Sequence, residues 1–289
     1  MKLKRFINIF LLCSILTSIT FGVTQASEIN KVTNNDIRVD ARSAIAIDGE
    51  TGEVLFEQNG YELVPMASTT KILTAYIAIE REDLDTIFTV TKNATAVRGS
   101  KVGYSEGEKV TVRELLYGLM YRSGNDAAIT IAENISGSIE EFSNLMNHYA
   151  KSLGIIDSHF ESPHGLDSQN HYSTAYDLAM LTKTCMKNKI FREIVGTKEI
   201  SRDKYGFTRD YSNINKILYK IPNANGVKTG YTGQAGKCLV SSVNKNGRDI
   251  IIVVLNCYDR WNVTESIYNH IIETVAFQMN ESQYCWLQL

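Results

Sequence analysis

Ser68 and Lys71 form a pair whose residue types and spacing suit catalysis. They lie three residues apart at the start of a predicted helix, so the hydroxyl and the amine project from one helix face. A serine hydroxyl is a poor nucleophile until a neighbouring base removes its proton. A lysine that burial or a second cation has made neutral can act as that base. The pair is therefore a candidate for covalent acyl-transfer chemistry.

The Ser-x-x-Lys spacing alone carries little information. Ser201 and Lys204 have the same spacing, as do Ser242 and Lys245. A chain of average composition contains about one such match by chance. Taken alone, the first pair would be read as an ordinary helix start, so its significance depends on the residues that accompany it.

Two further segments, each occurring once, give the pair a chemical context. Ser123-Gly-Asn125 is predicted at a helix end and Lys228-Thr-Gly230 at the start of a strand. A serine and an asparagine on one loop can relay a proton to a leaving amine and hydrogen-bond a substrate peptide group. A lysine and a threonine on a strand edge can hold a terminal carboxylate, and the glycine lets a substrate backbone lie close to the strand. Three such segments in this order form a known catalytic constellation.

In these segments and their surroundings the chain resembles the low-molecular-mass penicillin-binding proteins of the D-alanyl-D-alanine carboxypeptidase family. The resemblance spans roughly Ala41 to Asp259. It is carried by four segments: Pro65-Met-Ala-Ser-Thr-Thr-Lys71, Arg122-Ser-Gly-Asn-Asp-Ala-Ala128, Ser162-Pro-His-Gly-Leu-Asp167 and Gly226-Val-Lys-Thr-Gly-Tyr-Thr232. It implies an α/β (α+β) fold of the β-lactamase/transpeptidase type, in which helices flank an antiparallel sheet and form a helical subdomain.

The resemblance also implies roles for individual residues. Ser68 would be the nucleophile, Lys71 its general base and Ser123 a proton relay. Five further residues would contact the substrate: Asn125, Lys228, Thr229, Gly230 and Tyr231.

The implied reaction has two steps. Ser68 attacks the carbonyl between two D-alanines at the end of a peptidoglycan stem peptide, D-alanine leaves, and water hydrolyses the ester. Lys228 and Thr229 would bind the terminal carboxylate, and the backbone N–H groups of Ser68 and Tyr231 would form the oxyanion hole. Removing one donor from such a hole typically costs about 10²–10³ in rate. The resemblance implies β-lactam inhibitors as further ligands, and the reaction needs no metal or organic cofactor.

One position departs from the family pattern. Some members carry a basic residue shortly before the Lys-Thr-Gly segment that grips the carboxylate, and Ile214 in Asn213-Ile-Asn215 occupies the corresponding place. Arg202 and Arg209 are weaker substitutes. Whether the Lys-Thr-Gly segment suffices for the carboxylate is therefore open.

Other residues favour different functions, though less strongly. His159, His164 and His171 are irregularly spaced for a zinc site, and His164 lies in a family-like segment. Glu140 and Asn144 have the spacing of the deacylating glutamate of some β-lactamases, but they lie in the first turns of an amphipathic helix, where we expect exposed side chains. A catalytically idle wall-binding module is disfavoured because the motif residues are intact.

Hydrophobic periodicity and turn residues predict the elements that position these residues. Ser43–Asp48 and Val54–Gln58 flank a turn and predict a hairpin. Thr111 and Ser138 each precede a glutamate by three residues, the capping-box pattern of a helix start. Helices are predicted over residues 69–82, 111–123, 138–153 and 174–186, and strands over residues 238–243 and 250–255.

Strands at both ends of the chain, with helices between them, predict one sheet built from N- and C-terminal pieces and packed against helices. The tail from Thr264 carries Ile267, Ile271, Ile272 and Val275 at helical spacing. We expect a terminal helix that packs on the sheet. An interfacial membrane helix is the alternative, but the tail lacks the basic face that such helices present to anionic lipids.

The N-terminus predicts export. Lys2, Lys4 and Arg5 precede an apolar run and then Thr24-Gln25-Ala26, the pattern of a secretory signal peptide at residues 1–26. Residues 27–289 are predicted to form a single serine D,D-peptidase catalytic domain, with a core at about 41–259 and a C-terminal helix at about 264–279. We expect a secreted monomer on the cell-wall side of the bacterial membrane, with its membrane association open.

The charge balance gives no indication of nucleic-acid binding. The chain has 30 Lys and Arg against 32 Asp and Glu, and loss of the three basic residues of the signal leaves 27 against 32. Four cysteines lie beyond residue 26: Cys185, Cys238, Cys257 and Cys285. Their spacing fits no zinc or disulfide framework, so we expect unpaired thiols, with a bridge between Cys238 and Cys257 as the alternative.

Overall fold

The computed structural model describes the backbone of residues 37–286 and the side chains of residues 37–274. The predicted signal peptide at residues 1–26 lies outside this range, as do the side chains of Val275 and Cys285.

Nine strands are present in the described residues: β1 Ser43–Asp48, β2 Val54–Gln58, β3 Ile87–Thr89, β4 Lys109–Thr111, β5 Glu199–Ile200, β6 Tyr211–Ser212, β7 Ala224–Thr232, β8 Gly236–Lys245 and β9 Arg248–Leu255. Five of them form an antiparallel sheet in the order β2-β1-β9-β8-β7. The remaining four make two short two-stranded sheets, β3-β4 and β5-β6. The N-terminal strand β1 thus pairs with the C-terminal strand β9, which confirms the predicted sheet of N- and C-terminal pieces.

The α-helices of the described residues are α1 Lys71–Arg81, α2 Lys92–Ala96, α3 Val112–Tyr121, α4 Asn125–Ser136, α5 Ile139–Ser152, α6 Ala175–Cys185, α7 Lys189–Gly196, α8 Ile217–Lys220 and α9 Arg260–Trp286. Short 3₁₀ turns cover Ala67–Thr70 and Arg202–Lys204. The helices that begin after Thr111 and Ser138 are confirmed, since each hydroxyl accepts a hydrogen bond from the backbone N–H three residues on.

The central sheet is buried on both faces because its apolar residues alternate between two cores. In β1, Ala44 and Ala46 face one core while Ile45 and Ile47 face the other. Strand β9 follows the same period of two over Ile250–Leu255. One core lies between the sheet and the middle helices, and the other between the sheet and α8 and α9. The sheet is therefore the middle layer of three.

Helix α9 covers the outer face of the sheet with Ile267 and Ile271, both buried. The prediction of a terminal helix packed on the sheet is confirmed, although the helix is longer than the expected 264–279. Among the described helices, none combines the length and apolar character needed to cross a membrane.

The cysteine prediction holds for the three thiols whose side chains are described. Cys185, Cys238 and Cys257 are free and buried, so the alternative of a bridge between Cys238 and Cys257 is wrong.

Candidate active site

Ser68 lies in the 3₁₀ turn that leads into α1. The hydroxyl of Thr69 donates to the carbonyl of Met66 at 2.6 Å, and that of Thr70 donates to the carbonyl of Ala67 at 2.8 Å. These bonds fix the turn and leave Ser68 and Lys71 on one face, as predicted. Ser68 is half-buried, and Lys71 is fully buried.

The amine of Lys71 is the centre of the polar cluster. Its Nζ lies 2.8 Å from Ser68 Oγ, 2.8 Å from Asn125 Oδ1 and 2.7 Å from the carbonyl oxygen of His164. Burial lowers the pKa of Lys71 well below its usual value, and the nearby charge of Lys228 lowers it further, while Asp126 partly opposes both effects. The protein therefore favours an uncharged amine beside the Ser68 hydroxyl.

Ser123 sits in the tight turn between α3 and α4. Its φ of 57° is left-handed, a conformation that costs a non-glycine residue about 1–2 kcal/mol. The turn brings Ser123 Oγ within 3.0 Å of Lys228 Nζ, which also donates to the Thr229 carbonyl at 2.9 Å. Burial lowers the pKa of Lys228 to about 7, and Arg260 adds to the lowering. A second cation-forming amine is thus held in the same cluster.

Strand β7 forms one edge of the sheet and lies directly against the Ser68 turn. A Cβ added to Gly230 would lie 3.0 Å from Ala67 Cβ and 3.1 Å from the Ser68 backbone nitrogen. The glycine of the Lys-Thr-Gly segment therefore permits close approach of the strand to the serine, besides any approach of a substrate. Tyr231, the next residue, is 69% exposed at the strand edge.

The segment from Ser162 to His171 closes the far side of the cluster. Thr74 Oγ1 donates to the Pro163 carbonyl at 2.7 Å, and the next carbonyl, of His164, accepts from Lys71. Gly165 then adopts a φ of +81°, which only glycine adopts readily. A Cβ there would lie 2.0 Å from the Ala67 carbonyl oxygen, so the segment rests on the Ser68 turn.

His171 joins this segment to the Ser68 turn. Its Nδ1 accepts a hydrogen bond from the Glu161 backbone N–H at 3.0 Å, so the proton of a neutral ring is on Nε2, 2.8 Å from Thr70 Oγ1. Burial lowers the pKa of His171 to about 4. The folded protein therefore holds this ring neutral.

We expect the neutral His171 to make the protein less stable in mild acid. The unfolded chain takes up a proton below pH 6.5, whereas the folded chain does so only near pH 4, so the free energy of unfolding should fall as pH drops between these values. The loss from this one group is about 3 kcal/mol. Urea titrations at pH 7.5 and 4.5 would measure it, with His171→Gln as the comparison. Equal pH dependence in both proteins would contradict the expectation.

The residues considered for a zinc site or a β-lactamase glutamate do not form such sites in the described part of the chain. His159 Nδ1 lies 2.6 Å from the Asn170 carbonyl, and His164 Nδ1 accepts from the Leu166 backbone N–H at 3.2 Å, so the histidines have separate partners. In the part of the chain that the structure describes, no cluster of metal-binding side chains is found. Glu140 and Asn144 are exposed on α5, as expected from the helix pattern.

Arg202 and Arg209, considered as replacements for the basic carboxylate-binding residue missing at Ile214, contact other side chains. Arg209 forms an ion pair with Glu108 and a hydrogen bond to Thr208, and Arg202 lies beside Asp203. Ile214 itself is 48% exposed.

Two features of the site could not be predicted from the sequence motifs. The His164 carbonyl is a backbone group and leaves no trace in residue types. Arg260 donates to the carbonyls of Gly230 and Cys238 at 2.6 and 2.9 Å and so braces β7, but it lies outside the recognised motifs. Its sequence neighbours Asp259 and Asn262 are polar, so the local sequence does not mark Arg260 as a residue that braces the sheet.

An antiparallel sheet whose edge strand lies against a Ser-x-x-Lys helix start, with Ser-Gly-Asn and Lys-Thr-Gly segments joined through their side chains, defines the penicillin-recognising class of serine acyl-transfer proteins. The family model for D-alanyl-D-alanine carboxypeptidases matches residues 29–259. The chain belongs to the D-alanyl-D-alanine carboxypeptidase family.

Individual relatives agree with this assignment. The D-alanyl-D-alanine carboxypeptidase DacF of Bacillus subtilis is 35% identical over 258 residues, covering 87% of this chain and 66% of the relative. The crystal structure of the Streptomyces K15 DD-transpeptidase matches with a TM-score of 0.77 and 31% identity, covering 82% of this chain and 98% of that chain. DacD from Francisella tularensis matches with a TM-score of 0.72 and 30% identity, covering 85% and 72%.

The chain is shorter than several relatives. It spans 66% of the Bacillus subtilis protein and 60% of the Escherichia coli carboxypeptidase DacC, to which it is 37% identical.

Proposed function

We propose that the protein is a serine D-alanyl-D-alanine carboxypeptidase that removes the terminal D-alanine from peptidoglycan stem peptides. The observation that carries the proposal is the 2.8 Å contact between Lys71 Nζ and Ser68 Oγ inside a buried cluster. In this proposal Ser68 is the nucleophile, Lys71 its general base and Ser123 the proton relay to the leaving amine.

The partners of Lys71 support the assignment of the base. A neutral amine has two N–H donors and one lone pair. Asn125 Oδ1 and the His164 carbonyl can only accept, so they take the two donors. The lone pair then faces the third neighbour, the Ser68 hydroxyl, which can donate its proton. The geometry thus suits proton transfer from Ser68 to Lys71.

The placement of β7 supports the substrate contacts. Lys228 and Thr229 would hold the C-terminal carboxylate, and the backbone N–H groups of Ser68 and Tyr231 would stabilise the oxyanion. Gly230 keeps the strand within contact of the Ser68 nitrogen, which suits two donors aimed at one oxygen. Asn125 would hydrogen-bond the substrate peptide group.

Mass spectrometry of the penicillin-treated protein tests the proposal. We expect one penicilloyl group, located on Ser68, and release of free D-alanine from a peptide that ends in D-Ala-D-Ala. Ser68→Ala should lose both activities. Ser201→Ala, at the exposed cap of a 3₁₀ turn with the same Ser-x-x-Lys spacing, should keep both. A parent protein that is neither acylated nor releases D-alanine would refute the function.

The fate of the acyl-enzyme separates the related activities. The Streptomyces relative of known structure is a DD-transpeptidase, so partition of the acyl group between water and an added amine should be measured. A carboxypeptidase gives mainly the hydrolysed peptide. Rapid turnover of penicillin would instead indicate a β-lactamase.

We further propose that residues 27–289 form a single domain that acts as a secreted monomer outside the cytoplasmic membrane and binds β-lactams. Membership of a family that acts on peptidoglycan and the signal pattern of residues 1–26 support this location.

A further inference from the structure

Asp126 is a buried carboxylate beside the proposed site, and the resemblance assigns it no role. One oxygen, Oδ1, accepts from the backbone N–H of Val102 at 3.0 Å, and Oδ2 accepts from that of Gly103 at 2.8 Å. The Tyr104 N–H lies 3.4 Å from Oδ2, and the Ala127 N–H of its own helix lies 2.9 Å from Oδ1. Within residues 37–274, Asp126 takes part in no ion pair. Its charge is therefore balanced by backbone donors, most of them from one loop and one from its own helix.

The same loop sets the orientation of Asn125. The Asn125 backbone N–H donates to the Ser100 carbonyl at 2.8 Å, and its side-chain Nδ2 donates to the Arg98 carbonyl at 2.8 Å. Because one N–H of Nδ2 is bonded to the loop, Oδ1 faces Lys71, and the second N–H of Nδ2 is left for the substrate. Residues 98–104 therefore decide which end of this amide the Lys71 amine meets.

Close packing adds to the attachment of the loop. A Cβ added to Gly124 would lie 2.7 Å from Asp126 Oδ1 and 2.7 Å from Val102 Cγ2. The middle residue of the Ser-Gly-Asn turn is thus a glycine because the loop and the carboxylate occupy the space beside it. The turn, the carboxylate and the loop form one packed unit.

We propose that Asp126 is a positioning residue: its carboxylate ties residues 98–104 to the Ser-Gly-Asn turn and thereby holds the Asn125 amide on the Lys71 amine. The inference rests on the proposed function for the meaning of the Asn125 contact with Lys71. The attachment of the loop is independent of that function.

Asp126 also acts on the charge of Lys71. The ionisable groups that face Lys71 are Lys228 from β7, Asp126 from α4, and His164 and His171 from the segment between α5 and α6. Burial lowers the pKa of both histidines, to about 3 and about 4, so neither is charged near neutral pH. Asp126 is then the negative charge that raises the pKa of Lys71 against burial and Lys228.

Asp126→Asn tests the proposal because it keeps the size of the side chain, removes its charge and places an NH₂ group against backbone donors. We expect faster hydrogen exchange at the amides of Val102 and Gly103 and about 10²-fold slower acylation of Ser68 by penicillin. The acidic limb of the acylation rate should shift to lower pH, because Lys71 loses the charge that favoured its protonated form. A general loss of stability would slow acylation without this shift.

Two further variants separate the parts of the proposal. Asp177→Asn is the matched control. Asp177 is also buried, and its Oδ2 accepts a hydrogen bond from the Asp157 backbone N–H at 2.9 Å. This variant should leave acylation unchanged. Val102→Ala weakens the loop packing but keeps the charge, so exchange at residues 102–104 should rise and acylation should slow several-fold with no pH shift. This variant tests the attachment even if Asp126→Asn does not fold.

Unchanged exchange at residues 102–104 in Asp126→Asn, or an unchanged acylation rate, would overturn the inference. If the parent protein is not acylated at all, the proposed function fails instead. The exchange measurement then still decides whether Asp126 holds the loop.

Discussion

Lys71→Met should slow acylation of Ser68 by penicillin about 10³-fold while the protein still folds. The substitution removes the only amine within hydrogen-bonding distance of the Ser68 hydroxyl among the described residues, and loss of a general base typically costs 10²–10⁴ in rate. Methionine has a similar length and suits a position that is fully buried. Stopped-flow acylation with a fluorescent penicillin and a thermal melt would measure the two effects.

The stability of this variant should also depend on pH in a defined direction. Burial holds the pKa of Lys71 well below its usual value, so folding must expel a proton that the unfolded chain keeps up to about pH 10. The parent therefore gains stability from this group as pH rises, and the variant does not. Any advantage of Lys71→Met near neutral pH should shrink in alkaline buffer.

The control for Lys71→Met is Lys187→Met, at an exposed position. It should keep the parental acylation rate and pH dependence. Acylation of Lys71→Met at the parental rate would exclude Lys71 as the base.

Gly165→Ala should destabilise the protein by more than about 4 kcal/mol, the range reserved for severe steric or backbone defects. The new methyl carbon would lie 2.0 Å from the Ala67 carbonyl oxygen and 2.6 Å from Thr70 Oγ1, both in the turn that carries Ser68. The φ of +81° adds backbone strain. Urea unfolding and penicillin acylation should both report the damage, since the turn cannot move without displacing the nucleophile.

Gly154→Ala isolates the contribution of backbone strain. Gly154 has a φ of +76°, but a Cβ there would have no neighbour within 4 Å. We expect a loss of about 1–2 kcal/mol and unchanged acylation. Equal losses at positions 154 and 165 would mean that the contact with the Ser68 turn contributes nothing.

The helices and strands with clear patterns could be predicted because local sequence determines them. Thr111 and Ser138 marked helix starts that the structure confirms, and the apolar run Ile250–Leu255 is a strand as predicted. The Ser-Gly-Asn turn was predicted only as a helix end. Helix α4 begins at Asn125, within the motif itself, and the short polar turn residues hid that start.

Side-chain partners were less predictable because they depend on tertiary contacts. The capping box at Thr111 predicts that the Glu114 side chain returns to the helix start. Instead that carboxylate is buried and accepts from Tyr211 Oη at 2.8 Å and from the Thr208 backbone N–H at 3.0 Å. Glu114 therefore bonds to Tyr211, 97 positions away, in place of the helix start. No local sequence pattern can predict such a contact.

The two other Ser-x-x-Lys pairs show why this spacing identifies a catalytic pair only together with the other motifs. Ser242 and Lys245 lie on β8, where side chains three residues apart point to opposite faces of the sheet. Ser201 caps the exposed 3₁₀ turn Arg202–Lys204, and Lys204 ends it. The spacing places a hydroxyl and an amine on one face only in a helix. Burial then lowers the pKa of the amine, and burial depends on the whole fold.

The pairing of β1 with β9 constrains the order in which the molecule can be completed. Ser43 faces Leu255 across more than two hundred residues, so the chain must be synthesised as far as β9 before the first strand gains its second neighbour. Strand β7 pairs with β8, and β8 pairs with β9, so a ribosome-bound fragment that stops before Arg248 lacks the strand that joins β7 and β8 to β1. Such long-range closure makes folding slow relative to local helix formation. We therefore expect reactivity with penicillin only after Arg248–Leu255 have joined the sheet, so penicillin labelling would report completion of the five-stranded sheet.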